Sequence, residues 1–121
     1  MILVDTSVWV DHFRARDDQL IDLLERTAVV MHPFVVGELA CGNLANRNST
    51  VELLQQLPAA TLAEHGEVLG FIAQRKLFGK GVGYVDAHLL ASVAIGGDEL
   101  WTRDRRLRTL ALKLGCASSA E

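Results

Sequence analysis

Met1-Ile2-Leu3-Val4-Asp5-Thr6-Ser7-Val8-Trp9 is an apolar run that stops at an acid followed by two hydroxyls. Ile2 to Val4 include no polar residue, the pattern of a strand buried on both faces of a parallel sheet. Asp5 then stands at the carboxyl end of that strand. In open α/β sheets ligands sit outside this end, because the helices that follow the strands point their amino termini into the same crevice. Thr6 and Ser7 suit the cap of such a helix, and Val8, Trp9 and Phe13 would hold it against the sheet. Taken alone, Asp5 reads equally well as a helix cap or as a site residue.

The 121 residues make one domain, large enough to bury roughly two-thirds of its unfolded surface without disulfides or metals as staples. Half of them are hydrophobic, which provides a core. No apolar stretch is long enough to span a bilayer, and the amino terminus lacks the basic region and cleavage site of a signal peptide. The expectation is a soluble cytoplasmic protein with no membrane partner. Cys41 and Cys116 lie far apart with no CxxC spacing, so they form neither a redox motif nor a zinc knuckle, and both are expected as small core residues. A net charge of −3 argues against holding nucleic acid by a basic surface alone. It leaves room for a metal-bridged nucleic-acid enzyme, because bound cations invert local electrostatics.

Along the chain, strands and helices alternate. Arg14 to Asp18 is a charged turn, and Leu20, Ile21, Leu23 and Leu24 form the stripe of an amphipathic helix ending near Arg26. Ala28 to Met31 is a second strand, and His32-Pro33 opens a helix carrying Val35, Val36, Leu39 and Ala40, with Glu38 among them. After a polar break at Asn43 to Ser49, a helix through Val51, Leu53, Leu54 and Leu57 stops at Pro58. Ala59 to Ala63 is a possible further strand. Glu64 to Leu77 reads as helix with Val68, Leu69, Ile72 and Leu77 facing inward, against the helix-weakening Gly66 and Gly70. Phe78 to Gly83 is a glycine-rich loop. Asp86 opens the next helix and shares its buried face with Leu89, Leu90 and Val93. Gly96-Gly97 ends that helix, Glu99 to Thr102 is a strand, and Arg103-Asp104 is its exit. Leu107, Leu110, Ala111 and Leu114 line the inner face of a last helix closed by Gly115, and residues 116–121 read as a flexible tail. The alternation implies a doubly wound sheet, without repeats or linkers.

Four carboxylates occupy places where an acid is unwelcome or aimed at the crevice: Asp5 and Asp104 after strands, Glu38 and Asp86 on apolar helical faces. Like charges in a partly buried site repel strongly unless a cation joins them. An oxygen-only donor set favours Mg²⁺ or Mn²⁺ over zinc. Such an ion keeps water and open positions, which suits phosphoryl chemistry. From spacing alone, four unrelated structural acids remain the alternative.

The segments Val4-Asp5-Thr6-Ser7, Gly37-Glu38-Leu39-Ala40, Gly83-Tyr84-Val85-Asp86-Ala87 and Trp101-Thr102-Arg103-Asp104 resemble, in order and over almost the whole chain, the acidic motifs of PIN-domain ribonucleases. Within that family they are similar to VapC toxins of toxin–antitoxin pairs. The resemblance implies a three-layer α/β/α sandwich with a central parallel sheet, and a Mg²⁺- or Mn²⁺-dependent endoribonuclease. By it, Asp5, Glu38, Asp86 and Asp104 carry the metal, and Thr6 and Thr102 are hydroxyls that orient carboxylates or water. It also implies an RNA substrate, a cognate antitoxin and a homodimer. Leu107 departs from the pattern, since many relatives carry an aromatic there, and this bears on local packing alone.

Gly79 to Gly83 has a lysine but no following Ser or Thr, so a loop beside the site is favoured over a phosphate-binding Walker motif. Arg103, Arg105, Arg106 and Arg108 cluster beside Asp104, either as a solvated helix face or as contacts to RNA phosphates. His12, His32, His65 and His88 show no ligand spacing, and Ser7 has no evident base partner for nucleophilic catalysis. Trp9 and the leucines of residues 20–24 fit the core or a partner groove. A phosphoacceptor receiver domain would need an Asp in residues 50–60, and a haloacid-dehalogenase-type phosphatase a second acid where Ser7 stands. Both readings fail on residues. The surviving alternative to an enzyme is a catalytically silent PIN-like module that binds RNA or protein.

Overall fold

The computed structural model describes residues 1–120 and contains a parallel sheet of three short strands with seven helices. In chain order these are β1 (Ile2–Val4), α1 (Thr6–Arg14), α2 (Asp18–Glu25), β2 (Val29–Val30), α3 (Pro33–Ala40), α4 (Arg47–Gln55), α5 (His65–Arg75), α6 (Tyr84–Gly96), β3 (Glu99–Trp101) and α7 (Arg105–Lys113). The spatial order is β2-β1-β3. Leu3 sits opposite Val30 on one side and Leu100 on the other. Leu3 and Val4 are wholly buried, as a central strand covered on both faces requires, and each contributes roughly 1.5–3 kcal/mol by leaving water. From β1 the chain steps to one side for β2 and later to the other for β3. The switch point of the sheet therefore lies at the carboxyl ends of β1 and β3, where Asp5 and Asp104 stand.

Single parallel bridges extend the sheet at both edges, Met31 to Ala59 beside β2 and Leu100 to Ala117 beside β3. Residues 59–63 thus supply one bridge and no strand. The segment after α7 departs from the flexible tail expected of it. Leu100 donates its N–H to the Cys116 carbonyl at 2.7 Å, the Ser118 N–H returns to the Leu100 carbonyl at 2.8 Å, and Ser118 and Ala120 are buried. An open edge strand leaves unpaired backbone groups, and the tail satisfies those of β3; Glu121 lies outside the described residues.

The helices follow their caps. Asp5 itself, not Thr6 or Ser7, caps α1, and Thr6 is the first helical residue. A capping box of Glu64 and Glu67 starts α5. Gly83 precedes α6, which begins two residues ahead of Asp86 and ends where Gly97 takes the left-handed conformation at φ 69°. α6 is buried continuously from Ala87 to Val93, so it is a central helix with no solvent face along that span. α4 begins at Arg47, inside the expected polar break. Val8, Trp9, Leu20 and Leu23 all enter the core, while Phe13 (42% exposed), Leu69 (49%) and Cys41 do not, against expectation. Leu107, at the position that departs from the aromatic pattern, is fully buried in the core. Among the described residues no helix is long and apolar enough to cross a membrane.

His32 caps α3: its Nδ1 accepts the Phe34 N–H at 3.0 Å, and the ring is almost wholly buried. Burial, with a smaller contribution from His88, pushes its pKa down to about 4 from 6.5. Below pH 6.5 the unfolded chain takes up a proton that the folded chain refuses. This residue's contribution to stability is therefore complete above pH 6.5 and is lost as the pH falls toward 4. His32→Asn keeps a cap acceptor without the titration. Urea unfolding at pH 7 and pH 5 is expected to show wild type losing more stability than the variant; equal losses would refute the account.

Candidate active site

The amino-terminal strand delivers Asp5 to the switch point, and two hydroxyls fasten it there. Ser7 Oγ donates to Asp5 Oδ2 at 2.7 Å, and Thr102 Oγ1 donates to the same oxygen at 2.8 Å. Each hydroxyl also accepts a backbone N–H from the turn after β3: Arg103 N–H to Ser7 Oγ and Asp104 N–H to Thr102 Oγ1, both at 3.0 Å. Asp5 is buried, and its own N–H donates to the Trp101 carbonyl at 2.9 Å. The turn carrying Asp104 is thus tied to Asp5 through side chains as well as backbone. Asp104 in turn caps α7, its Oδ1 accepting the Leu107 N–H at 3.0 Å.

Glu38 reaches the crevice from α3, where Val35 and Leu39 face the core and Glu38 itself is exposed. It does not lie on a buried face as the sequence reading had it. Thr6 Oγ1 donates to Glu38 Oε1 at 2.7 Å, so Thr6 orients Glu38 rather than Asp5. Asp86, in the first turn of α6, is partly buried. Its pKa is raised above 3.8, first by burial and then by the charge of Asp5, with Asp104 and Glu38 adding to it against an opposing hydrogen bond from Gly83. All four acids therefore share one electrostatic environment.

Convergence stops short of a finished cage: among the described residues no three His, Cys, Asp or Glu side chains are grouped so as to hold a metal ion. Mutual repulsion opposes closer approach of four carboxylates without a cation. The donor chemistry nonetheless suits a hard cation. Asp5, Glu38 and Asp104 each commit one carboxylate oxygen to a protein donor, and no hydrogen bond among the described residues reaches Asp5 Oδ1, Glu38 Oε2 or Asp104 Oδ2. Three oriented acids with one unclaimed oxygen each, beside a fourth acid under electrostatic stress, match the oxygen ligands that Mg²⁺ or Mn²⁺ takes.

The structure redistributes the remaining candidates. Arg103 leaves the basic cluster: it forks to Asp11 at 2.8 Å and Asp17 at 2.5 Å and lies over the Trp101 ring, joining α1 and the α2 cap to the end of β3. Ser7, which has no base partner for nucleophilic catalysis, is an orienting hydroxyl, and its spacing of two residues from Asp5 in an Asp-Thr-Ser cap is the sequence signal for it. None of the histidines joins the acids. His12 accepts the Asp17 N–H, His65 is hydrogen-bonded to Tyr84, and His88 packs between Phe34 and Tyr84.

A model of the PIN domain family matches residues 2–113. Ribonuclease VapC32 of Mycobacterium tuberculosis, strain CDC 1551 / Oshkosh, is 46% identical over 122 aligned residues, covering all of this chain and 98% of that protein. The protein of the same name from strain ATCC 25618 / H37Rv is equally similar over the same extent. Among solved structures, FitAcB from Neisseria gonorrhoeae superposes with a TM-score of 0.63 at 23% identity, over 92% of this chain and 93% of that one. FitAB bound to an IR36 DNA fragment superposes with a TM-score of 0.58 at 19% identity, over 92% of this chain and 90% of that one. At such identities the two structures speak for the fold.

The stress on Asp86 has a definite sign. Its folded-state pKa lies above the unfolded value of 3.8, so as pH rises the unfolded chain gives up this proton first. Stability is lost as the pH climbs from 3.8 through the raised value and stays lost at neutral pH without a cation. In EDTA at pH 7, Asp86→Asn is expected to melt above wild type, and the gap should close below pH 3.8. Millimolar Mn²⁺ should then raise wild type more than the variant. A variant that melts lower in EDTA and responds equally to Mn²⁺ would make Asp86 a structural residue.

Proposed function

The chain belongs to the PIN-domain family, and from that premise we propose that Asp5, Glu38, Asp86 and Asp104 together hold Mg²⁺ or Mn²⁺ for the hydrolysis of RNA phosphodiester bonds. The protein is an endoribonuclease of the VapC kind, the toxin of a toxin–antitoxin pair, as its likeness to Ribonuclease VapC32 over its whole length supports. The observation that carries the site assignment is that Asp5, Glu38 and Asp104 are each fixed through one carboxylate oxygen, beside Asp86, whose pKa burial and their charges raise. A divalent cation, when bound, supplies charge neutralisation at the phosphate and a water of lowered pKa.

The chain's own residues do the positioning. Ser7 and Thr102 hold Asp5 Oδ2, which leaves Oδ1 as the oxygen that would take the metal. Thr6 does the same for Glu38 through Oε1, and the α7 N–H of Leu107 for Asp104 through Oδ1. In the reaction a water oxygen bonds to phosphorus and one ester P–O bond breaks, the departing oxygen taking a proton.

The antitoxin belongs to the same proposal. A groove of about 450 Å³ runs along α1, α3 and the start of α4, lined by Val10, Phe13, Leu39 and Leu44 and reaching Glu38. It fits a partner segment with an apolar face followed by an Arg or Lys that meets the acids in place of metal. A homodimer is part of this reading as well, with exposed Leu53, Leu62, Leu69 and Ile95 available as apolar area, and sedimentation equilibrium tests it.

Asp5→Asn and Asp104→Asn are each expected to reduce Mn²⁺-dependent cleavage of an RNA panel by about 100-fold or more, with unchanged folding by circular dichroism. Thr102→Val, which removes an orienting hydroxyl, should cost about 10- to 100-fold. Wild-type rates in the two Asn variants, or equal cleavage with and without metal, would overturn the metal-site assignment, and no cleavage by wild type in a nuclease-free preparation would leave the catalytically silent alternative. Phe13→Glu, in contrast, should keep cleavage and lose neutralisation by the cognate antitoxin; retained neutralisation would move the partner off this groove.

A further inference from the structure

The four acids are not held in the same way. Hydroxyls fasten Asp5 and Glu38, and the α7 backbone fastens Asp104. Asp86 has no side-chain donor among the described residues, and the hydrogen bond it receives comes from the backbone of Gly83. Its place therefore depends on the loop that leads into α6. Among the described residues no N–H from Phe78 to Gly83 finds a backbone carbonyl, so no backbone ladder holds that loop. Leu77 is buried and Val82 packs against the core, which fixes the loop on either side of Gly81. Gly81 is held from outside.

Arg106, in the first turn of α7, lies across it. A Cβ at position 81 would meet Arg106 Nη1 at 2.7 Å, Cδ at 2.9 Å and Cζ at 3.1 Å, and φ there is +79°. Any other residue would collide with Arg106 and strain the backbone as well. The contact runs against local preference on its other side too. α7 opens with Arg105-Arg106, at the helix end whose dipole disfavours cations. No ion pair among the described residues engages Arg106, so its packing on Gly81 is the interaction the fold gives it. Residues that set local preference aside in this way gather at functional sites. Here they join two segments that each carry an acid: Arg106 follows Asp104 by two residues, and Gly81 precedes Asp86 by five. Asp86 and Asp104 are near enough for the charge of one to act on the other.

We propose that Arg106 is a positioning residue of the active site, which by lying across Gly81 pins the loop before α6 to the first turn of α7 and so sets Asp86 against Asp104. The proposal rests on the reading of the four acids as a metal site and adds to it the contact that spaces two of them. Metal affinity depends on how the residues around the ligands orient them. The competing role for an arginine here is a contact to RNA phosphate. That role needs no glycine beneath the side chain, and without RNA it predicts the opposite sign. Removing a positive charge from this end of α7 leaves the acids at least as attractive to a cation. Loss of the clamp weakens their hold on it.

The test titrates Mn²⁺ into the metal-free full chain without RNA and follows the free ion by electron paramagnetic resonance. Arg106→Ala and Gly81→Ala are each expected to weaken Mn²⁺ binding by about 10-fold, although the first removes a positive charge and the second removes none. Arg105→Ala takes the same charge from the same helix turn and should bind Mn²⁺ no more weakly than wild type. Amide hydrogen exchange in EDTA is the second readout, and it should quicken at residues 78–83 in both loop-contact variants while β1 and β3 keep their protection. Should Gly81→Ala fail to fold, Arg106→Ala decides alone, since that side chain is exposed. Unchanged or tighter Mn²⁺ binding in Arg106→Ala would overturn the proposal, as would a loss in Arg105→Ala equal to that in Arg106→Ala. Quickened exchange with wild-type Mn²⁺ affinity overturns it while leaving the four-acid reading in place. A wild-type chain that takes up no Mn²⁺ overturns that reading, and the proposal falls with it.

Discussion

Two hydroxyls, those of Ser7 and Thr102, hold the crevice together by doing the same thing from two elements, α1 and the end of β3. Each donates to Asp5 Oδ2 and accepts a backbone N–H from the turn that carries Asp104. Hydroxyls can do this because each has a donor and two acceptor lone pairs, whereas an apolar side chain of equal size would leave buried carboxylate and N–H groups unpaired. The parallel pairing of β1 with β3 brings the partners into reach, and the hydroxyls convert that proximity into a defined orientation. The rest of the site follows from this anchor. With Asp5 and Asp104 set, Glu38 from α3 and Asp86 from α6 have only to point toward the same opening.

That arrangement runs against stability. Burial and three neighbouring acids hold the Asp86 carboxyl above its ordinary range, and no ion pair among the described residues relieves any of the four. Arg103, the arginine next to Asp104 in the chain, is committed instead to Asp11 and Asp17. A guanidinium turned inward would quench the repulsion and occupy the ligand positions as well. The strain is carried by the surrounding core, where α6 is buried throughout its middle and β1 is covered on both faces. Functional sites that keep like charges together depend on such over-determined surroundings.

The glycine-rich loop and the aromatic cluster around Tyr84 show how a helix can serve core and surface at once. Leu89, Leu90 and Val93 fill the interior, while the first turn of the same helix presents Tyr84 outward and Asp86 to the crevice. His88 stands between the two regimes. It is buried, burial lowers its pKa, and its ring braces both Phe34 and Tyr84. A neutral imidazole packs among aromatic rings at far less desolvation cost than a charged one.

What the sequence determined by itself is local: strands of continuous apolar residues, helices with their caps and stops, and acids placed where strands end or helices begin. These depend on residues within a few positions of one another, through hydrophobic period and capping chemistry. The ordered motifs then made the four acids recognisable as a set. Tertiary structure decided what depends on distant partners. Thr102 and Asp5 are 97 positions apart in the chain, and only the two crossovers from β1 make them neighbours. For the same reason local pattern could not foresee that Arg103 is spent on Asp11 and Asp17, or that residues 116–120 pair with β3. Nor could it place Leu69, Phe13 and Cys41 outside the core and Glu38 on an exposed face. An apolar residue on a helix is buried only if another element covers that face, and periodicity says which residues share a face without saying whether anything packs on it.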